Sequence, residues 1–588
     1  MASTRVKVGA LDLLKDGQMY VVAPSSLVLF QYRKEIPFPN EDSESKILLS
    51  RVKGQYFANS AKCTHYGAPL VKGVLTESGR IVCPWHGACF KAQTGDIEDA
   101  PALNSLQSFK VETDSSSVYI YGPSSPDAIL QSREPSVPSV SIGTSSSTEP
   151  AGVLIIGGGP GAAHTIEGLR DEGYKGTIKV ISKEASRPHL PIDRTKLSKT
   201  LMWDSEKLAL RGKTFYDRLG VEFILDTEAT ALDFENATVK LSNGETAAFE
   251  NLILATGAIP LRLPLDGADL GNVFLLRGVK DAKAIDEALG KPETDAEKKN
   301  LVVVGSSFIG MEAALAAAGR AKVTVVGMDD APFEKILSKE IGNGIRKFHE
   351  SKGTKFFLPA ELSHFSPSPS NAAVVGAVHL KDGTTLPADV VLLGVGVKPA
   401  TQLLKDAGLE LEKNGTVKTD EVLRILQLKG KAKGNVFALG DIATHRHAAQ
   451  GEFAYVQHWN VASNHGRCIA HLIATGKEQP YDKIAVFWSA QGQQLRYAGT
   501  TQANIWDDVL VQGNADELKF VAYYFAGNET VAAASMQNDP IVTRISELMK
   551  LGKMPTKEEI KGGKLGAVLP PQWWPTLRDY GTPTLQFQ

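Results

Sequence analysis

The sequence contains 588 residues, with 64 Lys and Arg against 66 Asp and Glu, which gives a formal net charge of −2 and a pI of about 6.7. A charge balance this close to neutral gives no general attraction to nucleic acid or to an anionic membrane surface. The sequence also contains no basic cluster with interleaved aromatic residues, the pattern that would predict nucleic-acid binding. At this length we expect about four domains.

The cysteines and the N-terminal residues bear on the compartment. Four cysteines, three of them close together in the chain, indicate a reducing environment. The N-terminal residues MASTRVKVGALDLLKDG contain neither a secretory hydrophobic region nor a long Arg- and Ser-rich presequence. The longest apolar segment, at 301–319, contains Glu312 and two serines, so we expect no membrane span. These features predict a cytoplasmic protein and leave an association with mitochondria open.

The first 122 residues carry the pattern of short strands. The stretches YVVAPSSLVLFQY, QYFANSAKC and VYIYG alternate apolar and polar residues. The stretch GVLTESGRIVCPW predicts a hairpin that turns at Ser78 and Gly79. We therefore expect an all-β domain over residues 1–122.

Two Cys/His pairs lie on either side of this hairpin. Cys63 and His65 are two positions apart, and Cys83 and His86 follow in C-x2-H spacing. This pattern predicts a metal site. A tetrahedral zinc site uses such ligands, and so does a Rieske centre, in which two thiolates bind one iron and two imidazoles bind the other. The small-residue turns HYGAP and PWHGA favour a tightly wrapped cluster.

The order of CTH, seventeen residues and CPWH resembles the Rieske ferredoxin-type domain nearly position for position. The resemblance implies a 2Fe-2S cluster held by Cys63, His65, Cys83 and His86.

High-potential members of that family carry a disulfide between the two ligand loops and two hydroxyl donors to the cluster and its ligand. Those positions are occupied in this sequence by Ala68, Trp85, Ala88 and Phe90. Without these donors the cluster sulfurs accept fewer hydrogen bonds, and the reduced cluster is less stable. We therefore expect a reduction potential near the low end of the Rieske range, roughly −150 mV.

The segment at 123–149 is rich in Ser and Pro and poor in apolar residues, which is typical of a linker. Beyond it the pattern changes to alternating strand and helix, which predicts a parallel sheet.

The stretch AGVLIIGGGPGAAHTIEGLRDEG predicts a strand, a glycine-rich turn and a helix. Gly157, Gly159 and Ala162 occupy the G-x-G-x-x-A positions, with Gly161 between them, and such a turn places a pyrophosphate on the helix N-terminus. The next strand, TIKVISKEAS, ends at Glu184, where a ribose hydroxyl needs an acceptor. A solvated acid at a strand end is the alternative for Glu184.

The stretch LVVVGSSFIGMEAALAAAGRAKVTVVG at 301–327 repeats this architecture. We expect Gly305, Phe308, Ile309 and Gly310 to contact a nicotinamide nucleotide.

Two positions depart from the nucleotide-binding pattern. Ser307 stands where the middle glycine is expected, and Gly327 stands where an acid would select NAD. Asp329 and Asp330 follow shortly after and can supply the acid. No arginine follows closely to receive a 2′-phosphate, so the sequence favours NADH over NADPH.

Two such folds in one chain resemble the two-dinucleotide flavoprotein reductases, and further signatures of that group follow in order. NLILATGAIP carries Thr256 and Gly257, and ADVVLLGVGVKPAT carries Gly396. GNVFALGDIATH resembles the second flavin motif, in which the acid, here Asp441, binds the ribityl chain. The resemblance implies a bound FAD.

The segment LPIDRTKLSK at 190–199 resembles the branch that contains apoptosis-inducing factor and the ring-dioxygenase reductases. Arg194 and Lys199 match that branch, whereas Ile192 replaces an aromatic residue. The resemblance implies that Lys199 lies near the flavin and pairs with Glu312, and these two are the predicted catalytic residues. No CxxC pair follows the first glycine motif, which argues against the disulfide reductase branches.

The segment VQHWNVASNHGR resembles the part of these reductases that borders the flavin ring, with His458 or Trp459 shielding it. FWS adds Trp488 from the last domain. That domain, at 478–588, resembles the interface domain of these reductases, and a homodimer is an expectation of the resemblance.

The fold class that we expect is multidomain: an all-β Rieske domain, an α/β two-dinucleotide reductase and an α+β C-terminal domain. The predicted domains are 1–122 (Rieske), 123–149 (linker), 150–265 and 395–477 (FAD), 266–394 (NAD) and 478–588 (interface).

Over nearly its whole length the sequence resembles apoptosis-inducing-factor-like proteins with an N-terminal Rieske domain, the apoptosis-inducing factor 3 type. The resemblance implies an NAD(P)H-dependent FAD oxidoreductase that passes electrons through the cluster to an unidentified acceptor, a protein or a small molecule. The alternative is an NADH-responsive redox sensor or cell-death signalling protein, in which turnover is incidental.

Overall fold

The computed structural model describes residues 4–22, 46–122, 131–134, 152–184, 191–429, 434–446, 451, 453–501 and 505–563. The chain forms two compact units. The first unit comprises residues 1–136, 528–530 and 539–588, and the second comprises residues 137–527 and 531–538. The predicted linker at 123–149 lies outside the described residues except for 131–134.

The first unit contains three antiparallel sheets, as the alternating pattern predicts. Their strands, in spatial order, are Thr4–Ala10, Ser117–Gly122 and Val111–Thr113; Met19–Val22, Ile47–Val52, Gln55–Ser60 and Ser108–Phe109; and Val74–Leu75, Arg80–Val82, Cys89–Lys91 and Ile97–Asp99. A 3-10 turn at Leu70–Lys72 and two helices, Ile541–Lys550 and Lys557–Lys561, complete the described part of this unit.

The predicted hairpin forms between the two ligand loops. Val74 pairs with Val82 and Leu75 with Ile81 in antiparallel register. Gly79 in the turn has a φ of 88°, a left-handed conformation that favours glycine. The hairpin delivers Cys83 directly after the strand Arg80–Val82, so its register fixes where the second ligand loop begins.

The second unit contains two parallel five-stranded sheets. The first has the order Val221–Leu225, Ile178–Ser182, Val153–Ile156, Asn251–Leu254 and Val436–Ala438; the second has the order Val273–Phe274, Val390–Leu393, Lys299–Val304, Ala321–Val326 and Lys355–Phe357.

Both parallel sheets are buried on their two faces. In the strand Val153–Ile156, Leu154 and Ile156 belong to one hydrophobic cluster, and Val153 and Ile155 belong to another. Successive side chains of a strand point to opposite faces, so an uninterrupted apolar run is what a sheet covered on both sides requires.

The remaining described strands of the second unit form separate, mostly antiparallel sheets. They are Ala229–Asp233, Thr238–Leu241 and Thr246–Ala248; Leu362–Ser368, Asn371–Leu380 and Thr385–Pro387; Ala258–Pro260 with Val397–Pro399; Phe453–Ala454 with Ala443–Arg446, which also pairs in parallel with Val417–Lys418; and Val486–Gln491, Gln493–Gly499, Glu529–Met536, Lys519–Ala526 and Asp508–Asn514.

In the second unit a helix follows each of the two glycine turns, as the sequence predicts, and further helices lie between other strands. Their bounds are Pro160–Asp171, Thr195–Thr200, Ser205–Leu208, Lys213–Arg218, Val279–Leu289, Phe308–Ala317, Glu334–Leu337, Lys339–Ser351, Gln402–Asp406 and Trp459–Thr475, with a 3-10 turn at Gly440–Ile442.

The segment predicted as a C-terminal interface domain contributes to both units. Strands from Val486 to Met536 form the five-stranded antiparallel sheet, whereas the described residues from Asp539 onwards group with the first unit. No helix in the part of the chain that the structure describes is long and apolar enough to cross a membrane.

A buried ion pair inside the first parallel-sheet domain provides a test of its packing. Arg211 donates from Nε and from a terminal nitrogen to the two carboxylate oxygens of Glu167, at 3.1 and 2.7 Å, and both side chains are under a tenth exposed. Arg211→Met leaves the buried carboxylate unpaired, so we expect this domain to lose about 3–5 kcal/mol of stability. Calorimetry of the holoprotein measures the loss as a lower melting temperature. The double variant Arg211→Met with Glu167→Gln is expected to recover most of it, and no recovery would show that the charge is not the cause.

Candidate functional site

The two Cys/His pairs lie on two loops of the first unit that share the same internal hydrogen bonds. In the first loop the N–H of Cys63 donates to the carbonyl of Ala68 at 2.8 Å, and the N–H of Gly67 donates to the carbonyl of Cys63 at 2.9 Å. The second loop repeats both bonds around Cys83, at 2.8 and 3.2 Å. The repeated turn explains why each predicted ligand pair has a glycine and an alanine after it.

The four predicted ligands come together as a sulfur pair and a nitrogen pair. The thiols of Cys63 and Cys83 are hydrogen-bonded to each other and buried. The Nδ1 atoms of His65 and His86 lie 3.3 Å apart. Within the described ranges, no three or more His, Cys, Asp or Glu side chains are placed to hold a single metal ion. Two sulfurs and two nitrogens in separate pairs are the donor set that the two irons of a Rieske cluster take.

The environment of the sulfurs fits a cationic group. The pKa of the Cys63 thiol is raised well above its usual value, first by the hydrogen bond with Cys83 and then by burial. Two buried thiols that are hydrogen-bonded to each other lose their protons readily only beside positive charge, which bound iron supplies. Tyr66, which the sequence reasoning left out, packs its ring 4.1 Å from that of His65.

The first glycine turn of the second unit has the shape that a pyrophosphate needs. Gly157 has a φ of 113°, and a Cβ there would lie 2.2 Å from the carbonyl oxygen of Ala255. At Gly159, the N-cap of the helix Pro160–Asp171, an added Cβ would meet no atom within 4 Å. The space beside Gly159 at this helix start is therefore open, and a helix N-terminus favours an anionic ligand. Gly161 and Ala162 begin the buried face of the helix.

The predicted ribose acid is joined to other predicted residues by hydrogen bonds. Arg194 donates to one oxygen of Glu184 at 2.5 Å and to the carbonyl of Arg277 at 2.9 Å. Arg277 in turn donates to Asp441 at 3.3 Å. Arg277, absent from the sequence prediction, thus connects Glu184 and Arg194 with Asp441. The structure brings these acids together in one network, which fits the polar parts of a dinucleotide.

The second glycine turn accommodates the predicted departure at Ser307. The Ser307 hydroxyl donates to the carbonyl of Gly394 at 3.2 Å, so the polar group of the added side chain is hydrogen-bonded to the neighbouring return strand. Gly305 keeps a φ of 105°, and a Cβ at Gly310 would lie 2.2 Å from the Gly305 carbonyl. Phe308 packs against Phe333 at 4.9 Å between ring centres.

The other predicted nucleotide contacts lie around the return strands and the helix start. Thr256 donates its hydroxyl to Ala400 at 2.8 Å, and Gly257 and Gly396 have φ values of 72° and 100°. Ile309 is 44% exposed at the start of its helix. Its contact with a nucleotide stays a prediction.

The acids after the second nucleotide strand are engaged in ion pairs. Asp329 lies 2.8 Å from Lys335, and Asp330 lies 2.5 Å from Lys339. The structure therefore does not show either carboxylate directed into the glycine turn.

The predicted catalytic pair forms, and Glu312 is its buried centre. Glu312 is 3% exposed, and its carboxylate oxygens lie 3.2 and 3.3 Å from Lys199 Nζ. Ser198 donates to one oxygen at 2.5 Å, and Ser489 donates to the other at 2.6 Å. Three donors on two segments satisfy a carboxylate whose burial would otherwise be costly.

Two residues that the sequence did not predict, Gln491 and His349, continue the hydrogen-bond chain from Ser489. Gln491 donates from its amide nitrogen to Ser489 Oγ at 3.0 Å, and its amide oxygen lies 3.0 Å from Nε2 of the buried His349. Ser489 and Gln491 alternate on one face of the strand Val486–Gln491, so the polar pair in an apolar strand was the available signal.

Two of the predicted ring side chains, Trp488 and His458, lie near Lys199, whereas the contact of Trp459 with the flavin stays a prediction. Lys199 Nζ lies 5.1 Å from the ring centre of Trp488. His458 accepts a hydrogen bond from Asn460 N–H at the start of the helix Trp459–Thr475, and its ring lies 4.8 Å from Phe487. Burial, and then the charge of Lys199, lowers the pKa of His458 to about 3. His458 is therefore neutral at physiological pH, which suits a residue packed against a neutral ring.

Two family models match the chain. Residues 151–466 match the family model described as pyridine nucleotide-disulphide oxidoreductase, and residues 18–110 match the Rieske [2Fe-2S] domain.

Three known proteins show the extent of the similarity. Apoptosis-inducing factor 3 of Mus musculus is 36% identical over 523 residues, which cover 88% of this chain and 82% of that protein. Rhodocoxin reductase of Rhodococcus erythropolis is 30% identical over 65% of this chain and 86% of its own. The crystal structure of a ferredoxin reductase from Rhodopseudomonas palustris superposes with a TM-score of 0.62 at 28% identity, over 69% of this chain and 96% of that one.

The fold and the two sites define a flavoprotein oxidoreductase with a fused Rieske domain. The chain belongs to the pyridine nucleotide-disulphide oxidoreductase family, and within that family to the proteins of the apoptosis-inducing factor 3 type. Its cofactors are FAD, NAD(P)H and a Rieske 2Fe-2S cluster.

Removal of one donor to Glu312 tests the arrangement around the predicted catalytic pair, Lys199 and Glu312. Ser489→Ala leaves Lys199 and Ser198 to fix the carboxylate, and a lost hydrogen bond to a charged group costs about 1.5–3 kcal/mol. We expect the rate of flavin reduction by NADH to fall at least about tenfold, measured by anaerobic stopped-flow absorbance. Ser535→Ala removes another buried serine of the same five-stranded sheet and serves as the control. Equal rates in the two variants would contradict a role for Ser489.

The buried His349 predicts an acid sensitivity of the second unit. Burial lowers the pKa of His349 from 6.5 to about 4, against a smaller opposing effect of Gln491. The unfolded chain therefore binds a proton below pH 6.5 that the folded protein does not bind until about pH 4. The free energy of unfolding is therefore unaffected by the protonation of His349 above pH 6.5. It decreases as the pH falls from about 6.5 to about 4, by up to about 3 kcal/mol.

The measurement is the melting temperature of wild type and His349→Gln between about pH 7 and pH 4.5, where the variant is expected to show a flatter pH dependence. His471→Gln, which changes a half-buried histidine paired with Glu172, is the control. A His349→Gln curve parallel to that of wild type would disprove this assignment.

Proposed function

We propose that the protein takes a hydride from NADH beside Lys199 and passes the two electrons, one at a time, through its Rieske domain to a one-electron acceptor protein. The hydride carries two electrons, so each NADH oxidised reduces two acceptor molecules and releases one proton. When bound, FAD supplies the exchange between a hydride and single electrons, and the cluster supplies single-electron transfer.

One observation carries this proposal: the same chain holds a paired sulfur and nitrogen donor set and a buried Lys–Glu pair beside a dinucleotide turn. The Nδ1 atoms of His65 and His86 are 3.3 Å apart, and Lys199 lies 3.2 Å from Glu312. A protein that used only one of these sites would have no use for the donor set of the other.

Lys199 and Glu312 orient the reacting groups in this proposal. Glu312 fixes the ammonium of Lys199 over the Trp488 ring, and Ser198 and Ser489 fix Glu312. A positive charge held at one place stabilises negative charge that develops on a neighbouring ring during hydride transfer. His458, kept neutral by burial, fills the side of the site next to Phe487 and helps to exclude water.

NADH is the proposed nucleotide. The two lysines that follow the second nucleotide strand, Lys335 and Lys339, are held by Asp329 and Asp330. A 2′-phosphate would have to break these pairs to gain a counter-charge, whereas a 2′-hydroxyl would not.

A small redox protein is the proposed acceptor. Two of the relatives compared above are named as a rhodocoxin reductase and a ferredoxin reductase. In this chain the imidazole of His65 is half-buried and thus reachable at the surface of the first unit, which suits transfer to a docked protein.

The compartment and the oligomeric state are also proposals. All four cysteines are free of disulfides, which supports a reducing compartment and hence the cytoplasm. The homodimer stays a prediction that sedimentation velocity of the holoprotein would measure.

The test is anaerobic stopped-flow mixing of the holoprotein with NADH and, separately, with NADPH, following flavin and Rieske absorbance together. We expect flavin bleaching first and cluster reduction second, within the turnover time, with NADH faster than NADPH. Cys63→Ser removes a cluster ligand, so it should abolish the Rieske absorbance and leave flavin bleaching by NADH intact. Cys468→Ser, in the second unit, is the matched control and should behave as wild type.

Two outcomes would contradict the proposal. A wild-type cluster that stays oxidised while the flavin bleaches would exclude internal electron transfer and favour the NADH-responsive sensor. Flavin bleaching at equal rates with NADH and NADPH would overturn the nucleotide assignment alone.

A further inference from the structure

A helix from the C-terminal part of the chain contacts the second cluster-ligand loop. Thr543 lies in the helix Ile541–Lys550, which belongs to the first unit although about 460 residues separate it from that loop in the chain. Its hydroxyl lies 3.2 Å from the carbonyl oxygen of Pro84 and 3.4 Å from that of Cys83. Thr543 is fully buried, at 0% exposure. A buried hydroxyl of this kind makes hydrogen bonds, and these two carbonyls share its proton.

The contact makes the second ligand loop different from the first. Both loops have the same internal bonds around their cysteines, but in the first loop Thr64 donates away from the loop, to Asn104. Only in the second loop does a described hydroxyl from another part of the chain donate to the carbonyl of a ligand cysteine. That carbonyl belongs to the peptide bond with Pro84, which has no N–H to donate, and it also accepts a hydrogen bond from the N–H of Gly87 at 3.2 Å.

The same helix also contributes a charge to the strand that delivers Cys83. Glu547 lies 3.2 Å from Arg80, and Arg80 also contacts Glu98, at 3.0 Å, and Asp99. Three carboxylates thus contact the guanidinium of Arg80, whose side chain is only 15% exposed. Arg80 begins the strand Arg80–Val82, immediately before Cys83. Thr543 and Glu547 lie four residues apart, on the same face of the helix.

We propose that Thr543 and Glu547 are positioning residues for the iron–sulfur cluster, which hold the Cys83–His86 loop and set the cluster's reduction potential from the C-terminal helix. This inference rests on the proposed function only in that the first unit binds a Rieske cluster. The Thr543 hydroxyl donates to the carbonyls of Cys83 and Pro84, so it offsets part of their negative charge and favours the added electron, whereas the nearby carboxylate of Glu547 opposes it. The two residues therefore act in opposite directions on the potential.

The experiment is an anaerobic redox titration of the full-length holoprotein, followed by the electron paramagnetic resonance signal of the reduced cluster. Thr543→Val removes the hydroxyl at nearly constant volume, so the potential should shift to a more negative value and the g-values should change. Thr543→Ser keeps the hydroxyl and should restore both. Glu547→Gln removes a negative charge, so the potential should shift to a more positive value.

Matched controls lie in the same part of the chain. Ser546→Ala removes a buried hydroxyl of the same helix that donates to the Thr543 carbonyl at 2.8 Å, within the helix. Glu558→Gln neutralises an exposed acid of the next helix. Both should keep the wild-type potential and g-values.

The outcomes separate this inference from the function on which it rests. A wild-type protein without a Rieske signal would refute the proposed function itself. With a wild-type signal present, an unchanged potential in Thr543→Val and Glu547→Gln would overturn the inference. If Thr543→Val fails to retain iron, retention by Ser546→Ala supports the positioning role, and equal iron loss in both variants contradicts it.

Discussion

The site of the second unit depends on the hydrogen bonds and the ion pair that satisfy the buried carboxylate of Glu312. It comes from the helix after the second glycine turn, whereas its donors come from the segment with Ser198 and Lys199 and from the strand with Ser489. An uncompensated carboxylate at 3% exposure would cost several kcal/mol, so these three parts of the chain must meet for the fold to be stable. The requirement that keeps the charge satisfied also places the lysine and Trp488 side by side. Stability and site geometry therefore have one cause.

In the first unit, a repeated local turn positions the four predicted cluster ligands. Two similar turns each present one cysteine and one histidine, and the hairpin between them sets the separation of the turns. The result is a pair of sulfurs and a pair of nitrogens instead of four donors around one point. Zinc was the alternative that the spacing alone left open, and the pairing of like donors, together with the Rieske family match, favours the two-iron centre.

Local features were predictable from the sequence because each depends on neighbours in the chain. The glycine turn at Gly157, the hairpin turn at Gly79 and the ligand spacing of Cys63 and His65 are all encoded within about ten residues. The Lys199–Glu312 pair was predictable only through resemblance, since 113 positions separate the two residues. The roles of the site residues in binding and catalysis remain predictions.

Long-range contacts account for what the sequence did not predict. Ser489, Gln491 and His349 form a chain of hydrogen bonds that no local pattern encodes, because a serine or glutamine in a strand usually faces solvent. The attachment of the helix Ile541–Lys550 to the ligand loop of Cys83 is of the same kind. A helix pattern indicates which residues are buried but not which part of the chain covers them.

Electron transfer from NADH to the cluster is tested most directly by an anaerobic titration of the holoprotein with NADH, in which the electrons stored per chain are counted. FAD accepts two electrons and the cluster one, so we expect an end point of about 1.5 NADH per chain together with a Rieske paramagnetic signal. An end point of about 1 NADH per chain without that signal would show that nicotinamide reduces the flavin alone.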